Sequence, residues 1–232
     1  MARKNPKRPA GAWNLATMFG PGLNFAEAEA YKLLRTNIIF SFPNEGRCHI
    51  LGVTSSIQDE GKSSSSCNLA YALSEAGKKV LLLEADLRRP TIGSKLRVRS
   101  IPGLTNLLVG DTQLQSLVRR CEAAPNMDII TAGDIPPNPS ELLGSRRMAA
   151  VLEELAKHYE YIVLDLPPVT AVSDAVAISK LLDGVVIVVR EGVTQRKGLG
   201  ETMRQLKLAG VRILGFLYRG ESEGTGKKYH SR

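Results

Sequence analysis

The sequence predicts an α/β fold: a mostly parallel central sheet flanked by helices in a three-layer sandwich. Three observations predict it. Short, nearly continuous apolar runs recur along the 232 residues, and such runs suit strands buried on both faces. Segments of helical periodicity separate them. Each run also ends in charged or Gly-rich residues, as expected where ligands meet the carboxyl ends of parallel strands.

Residues 1–20 are rich in Pro, Gly, Lys and Arg and read as a flexible basic segment. Residues 25–41 turn helical, with Ala28, Tyr31, Leu34 and Ile38 at intervals of three and four. Glu29, Lys32 and Arg35 are spaced by three and share a neighbouring face. A strand is predicted at 49–54 and a helix over 61–76, stopped by Gly77. Residues 79–85 read as a buried strand. Short helices are expected at 104–108 and 114–119, and a strand at 127–131. In Pro-Pro-Asn-Pro-Ser-Glu-Leu-Leu (136–143), Ser140 is the expected helix cap. Helices follow at 144–159, 171–182 and 196–209, and strands at 161–164, 185–190 and 211–218. This alternation implies right-handed parallel crossovers. Residues 21–219 form the predicted domain, and 220–232 a flexible polar tail carrying Tyr229.

Chemistry concentrates at 51–68, an apolar strand, a polar loop and a helix opening at Gly61-Lys62-Ser63. Backbone N–H groups at such a junction converge on an anion, with the positive helix end behind them. Lys62 is placed to reach nucleotide phosphates, and the Ser63 hydroxyl to ligate Mg²⁺. The match to Gly-x-x-x-x-Gly-Lys-Ser is incomplete, since Ser56 holds the first glycine position and Asp59 and Glu60 precede Gly61. Asp59 tolerates the left-handed backbone such a turn needs. The strand at 79–85 delivers Glu84, Asp86, Arg88 and Arg89, and the strand at 161–164 closes on Asp165. Three strand-to-loop junctions therefore carry the parts of a Mg-nucleotide site. Lys62 and the metal neutralise phosphate charge, while Ser63 and Asp165 hold the metal. Asp86 either takes the acceptor's proton or helps position the metal, and Arg88 or Arg89 stabilises transition-state charge.

Composition bounds the alternatives. Aromatics are only 5% of the chain, which argues against a base-stacking nucleic-acid module. The net charge of +8 suits nucleotide phosphates or an anionic surface without choosing between them. Cys48, Cys67 and Cys121 follow no ligand spacing and read as reduced, buried thiols of a cytosolic protein. No apolar run is long enough to cross a bilayer, and no apolar stretch follows the basic start.

The segments SSIQDEGKSS (55–64), LLLEADLRRP (81–90), AGDIPPNPSELL (132–143), YIVLDLPPV (161–169) and GVVIVVREG (184–192), in this order, resemble the bacterial protein-tyrosine kinases. These are P-loop NTPase-like enzymes of capsule and exopolysaccharide synthesis. The resemblance implies a cytoplasmic ATP- and Mg²⁺-dependent kinase that phosphorylates its own tyrosines. It implies phosphate binding by Asp59, Glu60, Gly61, Lys62, Ser63 and Ser64, with Tyr218 near the adenine. Ser63, Asp86 and Asp165 are the implied metal site, and Lys62, Asp86, Asp165 and Arg88 the catalytic set. Glu29, Lys32 and Arg35 match a Glu-x-x-Arg-x-x-Arg stripe through which subunits form a ring, with Lys32 in place of the middle arginine. Tyr229 is the implied phosphoacceptor. Other implied partners are a transmembrane adaptor with an activating cytoplasmic tail, which recruits the kinase to the inner membrane face, and a cognate phosphatase. Nucleic acid is not an expected partner. The chain departs from the pattern at Gln58-Asp59, where Pro-Gly is usual, at Glu84, at Tyr218 and in its lone tail tyrosine. Two other readings stand beside this one. A ParA-like partitioning ATPase is disfavoured by Ile57, where that group has a second lysine. A catalytically weak scaffold of the polysaccharide machinery is the other.

Overall fold

The computed structural model describes residues 19–42 and 46–220. Helix α1 spans Phe25–Ser41, β1 His49–Ser55, α2 Lys62–Glu75 and β2 Val80–Glu84. Then come α3 (Ile92–Leu96), α4 (Leu104–Val109), β3 (Arg119–Arg120) and β4 (Met127–Ile130). The second half holds α5 (Pro139–Leu143), α6 (Arg146–Ala156), β5 (Tyr161–Asp165), α7 (Asp174–Ile178), β6 (Gly184–Arg190), α8 (Arg196–Leu208) and β7 (Ile213–Arg219).

The sheet has seven strands in the order β3-β4-β2-β5-β1-β6-β7. Every pairing is parallel except β3 with β4. Residues alternate between two covered faces, as strand geometry requires. Leu81, Leu83, Ile162 and Leu164 pack with Met148, Leu152, Ile178 and Leu206 of α6, α7 and α8. Leu51, Val53, Leu82 and Val163 pack with Leu69 and Leu73 of α2 and Ile38 of α1. Both faces of β2 are thus sealed, and Leu81, Leu82 and Leu83 are fully buried. That is the three-layer arrangement the unbroken apolar runs implied.

Four expectations are corrected. The flexible basic segment expected over 1–20 does not include its last two residues: Phe19 is buried edge-on against Tyr71 and the Gly20 N–H donates to Asn68. The helix expected over 171–182 is the short α7 followed by a tight turn of 3-10 helix. The segment 114–119 is one 3-10 turn leading into β3, a two-residue antiparallel edge too short to leave a periodic signal. Ser140 is not a cap: Asn138 holds that position, Pro139 opens α5, and the Ser140 hydroxyl donates to Asp174. The cap of α6 is Ser145, whose hydroxyl oxygen accepts from the Met148 N–H at 3.1 Å.

Candidate active site

Register brings the strand ends to one level. Val53 of β1 pairs with Asp165 of β5, and Asp165 pairs with Glu84 of β2. The loops after β1, β2 and β5 therefore leave the sheet side by side, and a cleft of about 580 Å³ opens above them. Gly61, Lys62, Ser63, Ser64, Asp86 and Arg88 line it, with Asp59 at its rim.

The loop from β1 to α2 depends on two left-handed backbone positions. Gly61 precedes the helix at φ +91°, and a Cβ there would lie 1.9 Å from Arg219 Nη1. Only glycine takes that conformation without strain. Asp59 adopts φ +63°, as its tolerance for the left-handed region allows. Its carbonyl accepts from Arg190 at 2.9 Å.

Lys62 stands between two acids. Its Nζ lies 2.6 Å from Asp86 Oδ2, 4.0 Å from Asp165 Oδ1 and 3.4 Å from Ser63 Oγ. Burial works against the ammonium, but Asp165 and Asp86 outweigh it and raise its pKa. Burial raises the Asp165 carboxyl, opposed chiefly by Lys62. Asp165 Oδ1 accepts from Ser66, whereas its buried Oδ2 has no hydrogen-bond partner among the described residues. Asp86 Oδ1 accepts the Arg89 N–H at 3.0 Å.

An unsatisfied buried carboxylate oxygen beside a serine hydroxyl fits a hard cation, which prefers oxygen ligands and completes its shell with water and phosphate. No cluster of three or more His, Cys, Asp or Glu among the described residues could hold a metal by itself. A cation here would share its ligands with a bound phosphate.

Two assignments change. The Glu60 carboxylate is fully buried beneath the loop rather than facing the cleft. It accepts the Ser56 and Ile57 N–H groups at 2.7 and 2.9 Å and the Thr194 hydroxyl. Glu60 is thus a brace for the loop, and of the two acids before Gly61 Asp59 alone lines the cleft. Tyr218 is 62% exposed and lies outside the cleft lining. Strand alternation points its neighbour Arg219 inward instead, with Nη1 3.4 Å from the Gly61 carbonyl.

Glu84, where aspartate is usual, is also turned inward. Its carboxylate accepts the N–H groups of Thr91, Ile92 and Ala132, tying β2 to α3 and to the end of β4. Burial pushes its pKa up to about 7 against those donors. Along α1, Lys32 pairs with Glu29 at 2.9 Å on the surface. Arg35 turns onto its own chain, donating to the Ala72 carbonyl at 3.0 Å and lying 3.5 Å from Glu75. Tyr229 lies outside the described residues.

Sequence reasoning passed over Lys95, Arg190, Glu191 and Arg219 of the cleft lining. The pair Arg190-Glu191 closes an apolar run just as Asp165 does, so the same signal marks it. Asp174 carried no signal, because its strand-distal partner Arg88 is 86 positions away.

The chain matches the AAA domain family over residues 58–213. It is 33% identical over 202 residues to the tyrosine-protein kinase YwqD of Bacillus subtilis, covering 87% of this chain and 84% of that one. It is 35% identical over 201 residues to the tyrosine-protein kinase etk of Escherichia coli K12, covering 87% of this chain but only 27% of that longer relative. The solved kinase domain of Escherichia coli ETK superposes with a TM-score of 0.79 at 33% identity, covering 88% of this chain and 80% of that one.

Proposed function

The chain belongs to the bacterial tyrosine-protein kinases, and from that premise we propose how its cleft transfers a phosphoryl group from ATP to tyrosine. The observation that carries this is the Lys62 ammonium held between Asp86 and Asp165 at three neighbouring strand ends. The loop N–H groups and Ser64 receive the phosphates. A triphosphate outcompetes one carboxylate for Lys62, so Lys62 leaves Asp86 when ATP arrives. Asp86, still held by the Arg89 N–H, then faces the acceptor. The tyrosine oxygen bonds to the γ-phosphorus, the bond to ADP breaks, and the phenolic proton passes to Asp86. Arg88 offers its guanidinium to the charge on the transferring group.

Ser63 and Asp165, with Asp86 beside them, are the residues that would hold Mg²⁺. When bound, the ion neutralises phosphate charge. Tyr229 is our proposed acceptor in self-phosphorylation, and polysaccharide export the process regulated. A membrane adaptor's cytoplasmic tail is the proposed activator and anchor, a tyrosine phosphatase the counter-enzyme, and the Glu29–Lys32 face a contact between subunits. No described helix is long and apolar enough to cross a membrane.

Incubation of the full chain with Mg²⁺ and ATP is expected to produce phosphotyrosine. Asp86→Asn abolishes it while nucleotide affinity is kept, and Lys62→Met loses both. Labelling that persists in both variants sinks the mechanism. Phosphate release without phosphotyrosine favours the partitioning ATPase. Tyr229→Phe is expected to remove most self-labelling, and mass spectrometry finding the phosphate mainly on Tyr31, Tyr71, Tyr159 or Tyr161 contradicts that.

A further inference from the structure

We propose that Asp174 is a positioning residue that fixes the Arg88 guanidinium on the wall of the nucleotide cleft, with Ser140 completing the hold. This rests on the kinase reading of the cleft given above.

Arg88 follows Asp86 by two positions in the loop after β2 and lines the cleft, its side chain 43% exposed. A long arginine side chain on a loop loses rotamer entropy when fixed, so orientation needs a partner. Asp174 supplies it at the first position of α7. Its carboxylate accepts from Arg88 Nε at 2.7 Å and Nη2 at 3.1 Å, the two-point geometry that sets a guanidinium plane. The Asp174 side chain is fully buried, whereas Arg88 is not. An ion taken out of water is costly unless it is paired, and Arg88 is its one ion-pair partner among the described residues.

Ser140 gives the carboxylate a further donor. Pro139 opens α5 directly before it, and the Ser140 hydroxyl also lies 3.1 Å from that of Ser173. The turn Pro-Asn-Pro-Ser, a sequence feature with no role in the mechanism above, thus bears on Asp174, and through it on the loop that carries Asp86. Arginine has five N–H donors. Two go to Asp174, and the remaining three, with no hydrogen-bond acceptor among the described residues, can meet phosphoryl oxygens. A purely architectural ion pair would have no need to leave one partner open to the cleft.

The test is steady-state kinetics of the full chain with a synthetic tyrosine copolymer, together with ATP affinity by calorimetry. Arg88→Ala is expected to lower kcat by roughly 100-fold, the scale for losing one transition-state donor. Asp174→Asn keeps the volume and loses the charge. It is expected to lower kcat by roughly 10- to 100-fold through misorientation, with ATP affinity unchanged within about twofold. Asp174→Glu, which keeps the charge, is expected to recover part of the loss. In the Arg88→Ala background, Asp174→Asn should cost nothing further, because the group it orients is gone. Should Asp174→Asn not fold, Ser140→Ala provides the same comparison, with a smaller loss of kcat that again vanishes in Arg88→Ala.

Losses that multiply in the double variant overturn the proposal, as does wild-type kcat in Asp174→Asn. So does a fall in ATP affinity that matches the fall in kcat. Wild-type kcat in Arg88→Ala overturns it together with the assigned role of Arg88. Absence of phosphotyrosine from the unaltered chain removes instead the reading on which both stand.

Discussion

Lys62→Met should weaken the fold as well as the chemistry, and the size of the effect follows from the site. The ammonium is 2.6 Å from Asp86 and 4.0 Å from Asp165, with all three side chains nearly excluded from water. At an effective dielectric of about 20 the two gross attractions are about 6 and about 4 kcal/mol. Desolvation of three ions offsets most of this, so the pair contributes little beyond an uncharged core. Removing one partner is different, because it leaves two buried carboxylates facing each other without a cation. Breaking buried pairs in this way costs about 3–5 kcal/mol. The deficit must also depend on pH. Asp165 already has a raised pKa from burial, and Lys62 is the chief influence holding it down. Without Lys62 it rises further. The folded variant then binds a proton that the unfolded chain, ionising near about 3.9, does not. Stability relative to wild type therefore recovers as pH falls through that raised pKa. Urea midpoints of the full chain without nucleotide, from pH 8 to pH 5, give the measurement. The deficit is expected to be largest at pH 8, to shrink toward pH 5, and to be partly recovered by adding Asp165→Asn. Wild-type stability at pH 8, or a deficit that does not move with pH, refutes the reasoning. If it holds, an inactive Lys62→Met protein proves a catalytic role only where it is shown to be folded.

Other consequences are tested in the same way. Glu84 has a pKa near about 7 in the fold against about 4.3 unfolded, so its contribution to stability falls as pH rises from about 4.5 to 7 and is flat above. Glu84→Gln should flatten that part of the urea-midpoint profile, and an unchanged slope would assign the titration elsewhere. Gly61→Ala brings a Cβ to 1.9 Å from Arg219 Nη1 at φ +91°, where L-residues lose about 1–2 kcal/mol. Calorimetry should show weakened ATP binding, and wild-type affinity would mean the loop tolerates a side chain there. Arg35→Ala removes the link from α1 to the Ala72 carbonyl and should cost about 1 kcal/mol. Glu29→Ala breaks only an exposed surface pair, which solvent screens, and should leave the midpoint in place. Equal losses in the two would deny Arg35 its internal role.

The parts of the site visible in the sequence are those marked by where a buried strand stops. Lys62, Asp86 and Asp165 each follow an apolar run, and apolar runs can be read locally. What cannot be read locally is which side chains at a strand end turn inward. Glu60 and Glu84 are acids in the same positions by that criterion, yet both face backbone N–H groups under the loops. Their roles depend on amides from residues up to 48 positions away. Tyr218 shows the same limit at the scale of one residue. The end of β7 is legible to within a position, but one position decides the face, and it is Arg219 that meets Gly61.

Lateral order is the other quantity hidden from the sequence, and on it the site depends. β5 inserts between β1 and β2 although more than a hundred residues separate it from β1. Had β2 paired directly with β1, Asp165 would sit one strand-width farther from Lys62, and a lysine cannot neutralise two acids across about 5 Å of additional sheet. The inserted strand places Asp165 in register with Val53 on one side and Glu84 on the other. The ammonium of Lys62 then lies within 4.0 Å of both Asp86 and Asp165. The right-handed crossover rule restricts how β1, β2 and β5 connect but leaves their order open. Burial keeps both strands off the edges. β2 and β5, with every residue from Val80 to Glu84 and from Tyr161 to Asp165 buried, would each be penalised by solvent there. Two-residue β3, with one residue half-buried and one exposed, takes the edge instead. The chemistry of the cleft therefore rests on apolar runs that the sequence shows, acting through a lateral order that only the assembled sheet reveals.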